Sequence, residues 1–180
     1  MPLFETSVPI DHEHVAKIVL EKWGIKIDKL LKASQNHTFS ASFELPDSTV
    51  QKCSVRVTPD PEQKHLNRIR DELAFVKFCA DHKLNHVCGP IPTKGEEKEL
   101  FVKDGNLIVA VFEWARGEPI NFFELKWMSD VPLIHAWGRY FAELHKISQL
   151  FSHEHPEIAK RIQNWNEIHH GVLKKIKLSE

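Results

Sequence analysis

Residues 37–58 read HTFSASFELPDSTVQKCSVRVT, and the fold turns on them. His37, Phe39, Ala41, Phe43 and Leu45 alternate with Thr38, Ser40, Ser42 and Glu44, the period-two pattern of a half-buried strand. Leu45-Pro46-Asp47-Ser48 supplies turn chemistry, and Val50–Thr58 alternates again. The two runs predict an antiparallel hairpin that ends at Pro59-Asp60-Pro61.

On either side the period changes. Upstream, Val15, Ile18, Val19 and Trp23 are spaced for one helix over about 12–23, with Asp11 better placed than Ser7 to cap it. Trp23-Gly24 breaks the pattern, and Ile27, Leu30 and Leu31 predict a second, short helix over about 26–32. Downstream, Leu66, Ile69, Leu73, Val76 and Ala80 form one apolar stripe on a helix within 62–82. A loop with Gly89, Pro90 and Pro92 follows, then a short strand at Leu100–Lys103. Asp104-Gly105 signals a two-residue hairpin, and Asn106–Trp114 is apolar enough for a sheet interior. From Phe122 the pattern is helical, with Leu133, Ile134, Trp137, Gly138, Phe141, Leu144 and His145 on one face. A further helix is predicted over Pro156–Leu178. The class is α+β, with one unit over residues 1–116 and a helical one over 117–180.

Composition narrows the function. The 180 residues carry 24 Lys and Arg against 25 Asp and Glu, so no general field draws the chain to nucleic acid or membrane, and neither is an expected partner. The longest apolar run, Leu107–Phe112, is strand-sized. The amino terminus lacks the basic and apolar regions of a secretory signal. Cys53, Cys79 and Cys88 are odd in number and form no C-x-x-C pair, which fits buried thiols in a reduced, cytoplasmic setting. The 12 histidines include Asp11-His12-Glu13-His14, His153-Glu154-His155 and His169-His170. Alternating histidines on a helix project to different faces, whereas zinc needs three or four convergent ligands; no metal site is expected from them. Lys174, Lys175 and Lys177 read as a solvated helix end.

Five stretches, in order, resemble the aminoglycoside phosphotransferase and choline kinase group of the protein-kinase-like fold. Ala33-Ser34-Gln35-Asn36-His37-Thr38-Phe39 is similar to the group's phosphate loop, and Ser54-Val55-Arg56-Val57-Thr58-Pro59 to its third strand. Ile69-Arg70-Asp71-Glu72-Leu73-Ala74-Phe75-Val76 resembles its signature helix. Val111-Phe112-Glu113-Trp114-Ala115-Arg116-Gly117-Glu118 resembles its hinge, and Gly138-Arg139-Tyr140-Phe141-Ala142-Glu143-Leu144-His145 the helix after it. Together they fall within about residues 12–148. The resemblance implies an amino-terminal nucleotide lobe and the start of a helical lobe. It also implies ATP with magnesium, and a small-molecule acceptor carrying a hydroxyl or amine.

Phosphoryl transfer is mostly positioning and charge neutralisation, so its site needs cations near the phosphates. By the resemblance, Arg56 takes the strand cation's place and Glu72 is the helix carboxylate that holds it. Arg56 shares a strand face with Lys52 and Ser54, and its guanidinium offers a planar, always-charged fork. Ser34, Asn36 and Thr38 form a phosphate loop without glycine: Asn tolerates left-handed backbone, and the hydroxyls add donors. Glu113, Trp114 and Ala115 occupy the hinge place, where adenine meets main-chain groups.

The group's catalytic loop carries His-x-Asp with an Asn five residues on, then a later Asp-x-Asp. After Asp130 this sequence has no aspartate. His170-Gly171-Val172 echoes the loop, but Val172 cannot accept a proton, nor can Lys177 ligate a hard cation. No catalytic residue and no metal ligand is expected in these 180 residues. Two accounts follow: the front part of a longer small-molecule kinase, truncated and inactive alone, or a non-catalytic lobe that binds nucleotide or protein. Trp137, Phe141 and Trp165 offer apolar surface for self-association.

Overall fold

The computed structural model describes residues 8–117 and 122–161. Helix α1 (His12–Trp23) begins where Asp11 Oδ1 accepts hydrogen bonds from the backbone N–H groups of Glu13 and His14, at 3.0 and 3.1 Å. It ends on Gly24 at φ +67°, a left-handed cap that glycine adopts without a Cβ penalty.

Strands β1 (Lys26–Ala33), β2 (His37–Glu44) and β3 (Val50–Pro59) form an antiparallel meander. Helix α2 (Leu66–Asp81) then crosses to the edge strand β4 (Pro90–Ile91), followed by β5 (Val102–Asp104) and β6 (Leu107–Glu113). The sheet order is β1-β2-β3-β6-β4, with β5 also paired to β6. Two short 3-10 turns, Phe122–Glu124 and Lys126–Ser129, lead into α3 (Val131–Glu154) and α4 (Pro156–Arg161). The class is α+β, as expected.

Both faces of the sheet are packed, by different helices. On one, Val15, Ile18, Val19 and Trp23 of α1 meet Phe39, Ala41, Val55, Val57, Val109 and Val111. On the other, Ile69 and Leu73 of α2 cover Ile108 and Ala110. The buried alternation of the hairpin is therefore real on its α1 side, while Thr38, Ser40 and Ser42 line the opposite face. Helix α3 packs on α2 through aromatic edges: Phe151 lies 5.0 Å from the Phe75 ring and 5.2 Å from that of Phe78, centroid to centroid.

Residues 26–32 are a correction. They form β1 and not a helix, because two register shifts, between Ile27 and Lys29 and between Leu30 and Lys32, each insert a residue. A bulged strand thus carries apolar residues three apart on one face, the spacing that also marks a helical turn. Pro90–Ile91, expected as loop, is an edge strand, where proline's missing N–H costs nothing. The last predicted helix is described as far as Arg161, and its remainder lies outside the described residues.

Candidate functional site

Three of the expected site residues line one cavity of ≈ 650 Å³: Asn36, Arg56 and Glu72. The turn of the β1–β2 hairpin, the inner face of β3 and the first turns of α2 enclose it. Arg56 Nη1 donates to Glu72 Oε1 at 2.6 Å, so the strand cation and the helix carboxylate are paired. The guanidinium carbon stands 5.0 Å from the Phe112 ring centroid, and the Arg56 side chain is only 23% exposed. Its second terminal nitrogen, Nη2, is buried with no hydrogen-bond partner. A buried donor without a partner costs about 1–3 kcal/mol, which an anion placed against it would offset.

Thr38 is in register with Arg56 and shares its sheet face. Ser34 is less free: its N–H donates to the Asn36 carbonyl at 3.0 Å, closing the turn on itself. The hinge residues Glu113, Trp114 and Ala115 are not brought to this cavity. Glu113 pairs with Cys53, three residues along β3 from Arg56. Its N–H donates to the Gly89 carbonyl at 2.9 Å, and its Oε2 accepts from the Gly89 N–H at 3.1 Å. Trp114 lies beneath Lys52, whose Nζ is 5.8 Å from the ring centroid.

Several residues escaped the sequence reading. Asp60, 1% exposed, accepts from the N–H groups of Lys64 and His65 at 2.8 and 3.2 Å, and so holds the approach to α2 in place. Its signal was an aspartate before a helix start, hidden between two prolines. Lys64, His65 and Arg68 line the same cavity. Lys64 is paired with Glu62, whereas Arg68 has no ion-pair partner among the described residues. Asp71 is held from α4 by both Arg161 Nε and Nη2 at 2.8 Å, and that guanidinium keeps its carboxyl below the usual range.

Burial pushes the Cys53 thiol up to about 11 and raises Cys79 and Cys88 as well, so none is a ready nucleophile. Among the described residues no three His, Cys, Asp or Glu side chains converge as a metal site, and no helix is long and apolar enough to cross a membrane.

No protein-family model matches this sequence, and no curated protein matches it. Among solved structures it is similar to the amicoumacin kinase hAmiN in complex with AMP-PNP, Ca2+ and Ami. That alignment has 14% identity, 77% coverage of this chain, 40% coverage of the kinase and a TM-score of 0.59. Spectinomycin phosphotransferase APH(9)-Ia, in complex with ADP and spectinomycin, aligns at 15% identity over 62% of this chain and 31% of its own, with a TM-score of 0.45. An aminoglycoside phosphotransferase from Alicyclobacillus acidocaldarius aligns at 14% identity over 65% and 30%, with a TM-score of 0.37. The chain thus spans about two fifths of the length of the amicoumacin kinase. Its α+β fold, an antiparallel sheet with a few helices, matches a kinase-like amino-terminal lobe joined to part of a helical lobe.

Proposed function

We propose that this chain is the nucleotide-binding part of an ATP-dependent phosphotransferase acting on a small molecule. The observation that carries the reading is Arg56: clamped by Glu72, backed by the Phe112 ring, and left with one buried, unpartnered donor at a cavity of ≈ 650 Å³. That volume falls within the range of small-ligand pockets, about 300–1,000 Å³. A triphosphate seated there gives Arg56 Nη2 its missing acceptor, with Asn36 and Thr38 beside it and Ser34 shaping the turn. Arg68 adds an uncompensated charge to the cavity wall. Main-chain groups at Trp114 and Ala115 take the adenine, while Glu113, whose N–H is already bonded, braces the strand end against Gly89.

When bound, ATP supplies the phosphoryl group; this chain's residues bind and orient it and neutralise its charge. Magnesium, which the resemblance pairs with ATP, does not fit the residues present. Glu72 is held by Arg56, Glu62 by Lys64, and Asp60 by backbone N–H groups. With no aspartate beyond Asp130, the 180 residues are proposed to bind nucleotide without transferring phosphate, so that alone they act as a binding module. A small-molecule acceptor is part of the same reading, and three cysteines without a disulfide agree with a reducing, cytoplasmic setting.

Titration of AMP-PNP into the purified chain and its Arg56→Ala variant tests this. The variant is expected to keep its circular dichroism spectrum and lose at least about tenfold in affinity, the weight of one charge-assisted hydrogen bond. Equal affinity in the two proteins overturns the reading. Robust phosphate transfer by the 180-residue chain overturns the claim that it only binds.

A further inference from the structure

In a regular strand, Lys29 would face away from Lys26 and Lys32. The two register shifts of β1 change that, setting Lys26 opposite Ser42, Lys29 opposite Ser40 and Lys32 opposite Thr38. Cross-strand partners share a sheet face, and Thr38, Ser40 and Ser42 all lie on the β2 face turned away from α1. The same rows continue into β3, where Ser42 faces Lys52, Ser40 faces Ser54 and Thr38 faces Arg56. One face of the β1–β2–β3 meander therefore gathers four lysines and Arg56 around a floor of hydroxyls. From Lys26 to Lys32 it spans four residue steps of β2, Ser42 to Thr38, about 13 Å at strand rise.

The four lysines are exposed, and none has an ion-pair partner among the described residues. Three carboxylates share the face: Asp28, whose Oδ1 accepts from Ser42 Oγ at 2.9 Å, Glu72, engaged by Arg56, and Glu44 at its end, opposite Val50. Five cations against three carboxylates leave a local positive field on a chain whose formal net charge is −1. Ser40 Oγ donates to the Lys29 carbonyl at 3.5 Å, whereas the Thr38 and Ser54 hydroxyls have no hydrogen-bond partner among the described residues. Helix α2 covers Ile108 and Ala110 of β6 and leaves the lysine rows open.

A single strand of nucleic acid is held by aromatic platforms along its path. Here Phe112 lies under Arg56 and Trp114 stands at one end beneath Lys52, so the lysine rows offer charge and hydroxyls but no stacking surface. We infer that this face binds a linear phosphate chain without bases, inorganic polyphosphate, along the row of Lys26, Lys29 and Lys32. The face shares Arg56 and Thr38 with the nucleotide reading, whereas the row of Lys26, Lys29 and Lys32 belongs to this inference alone.

The test is calorimetric titration of medium-length polyphosphate into the 180-residue chain and a Lys26→Gln/Lys29→Gln/Lys32→Gln variant, over a salt series. Wild-type binding is expected to weaken with salt. The triple variant is expected to bind at least tenfold more weakly, with a salt slope shallower by about two, as for three lost charge contacts to a flexible polyanion. Lys52→Gln, a single exposed change, is expected to weaken binding severalfold and keeps the test decisive if the triple variant misfolds. No binding by wild type, or equal binding by wild type and the folded variants, overturns the inference. So does tighter binding of a single-stranded oligonucleotide or of phosphatidylserine vesicles. AMP-PNP titrated into the same wild-type sample separates the two readings: polyphosphate binding without nucleotide binding sinks only the nucleotide site.

Discussion

Arg56 and Glu72 stand 16 residues apart, on a strand and on a helix; period places each on its element, and the family resemblance implied that they meet. Asp71, the neighbour of Glu72, was not legible in either way. Its partner Arg161 lies 90 residues away, and nothing local in a helical aspartate announces a cation arriving from another element. The contact has a pH signature. Because Arg161 depresses the Asp71 carboxyl, its stabilisation is fully present above the ordinary carboxylate value, about 3.9. It is lost as pH falls through the lower folded value. Arg161→Ala should therefore lower stability at neutral pH, and only modestly because the guanidinium is more than half exposed. Urea denaturation at pH 7 and pH 3 checks it: the deficit is expected to shrink at pH 3, and an equal deficit at both would mean that packing, not charge, is the cause.

At the scale of elements, the ends of α1 are legible in the sequence and the bulges of β1 are not. Asp11 caps α1 and Gly24 ends it because both act through their own chain, within a few residues. At Gly24 the positive φ matters more than space, since an added Cβ would meet only the far end of the Lys94 side chain. Gly24→Ala is expected to lower stability by about 1 kcal/mol through left-handed strain, read as a fall in thermal midpoint with an unchanged spectrum. Strand β1 was taken for a helix because a bulge makes a strand mimic helical spacing. The bulge itself is set by pairing with β2, which a window of eight residues does not contain. Its side-chain consequence, three lysines on one face, was equally invisible.

At the scale of the molecule, α3 is the odd element. It is 24 residues long, yet Phe151 is its one fully buried position. Ile134 and Phe141, on the face expected from their spacing, remain 43% and 53% exposed, and Val131 remains 57% exposed. Apolar area left in water favours burial against another surface, at roughly 25 cal/mol per Å². Concentration-dependent self-association is expected in sedimentation velocity, reduced by Ile134→Ser/Phe141→Ser. A monomer at every concentration in the unaltered chain would exclude it. Trp165, the third residue expected to contribute, lies outside the described residues.

The family resemblance implied the pairing of Arg56 with Glu72, while the pattern of the sequence carries the α+β class, the β2–β3 hairpin, the α1 caps and the stripe of α2. Each follows from period, turn chemistry or capping, interactions whose partners sit close along the chain or on elements of clear period. Only the tertiary structure decided that β1 is a strand, that Asp60 anchors the approach to α2, that Asp71 answers to Arg161, and that four lysines share the open sheet face with Arg56. Those outcomes depend on register and on contacts between distant segments, whose energies exist only once the chain has closed its loops.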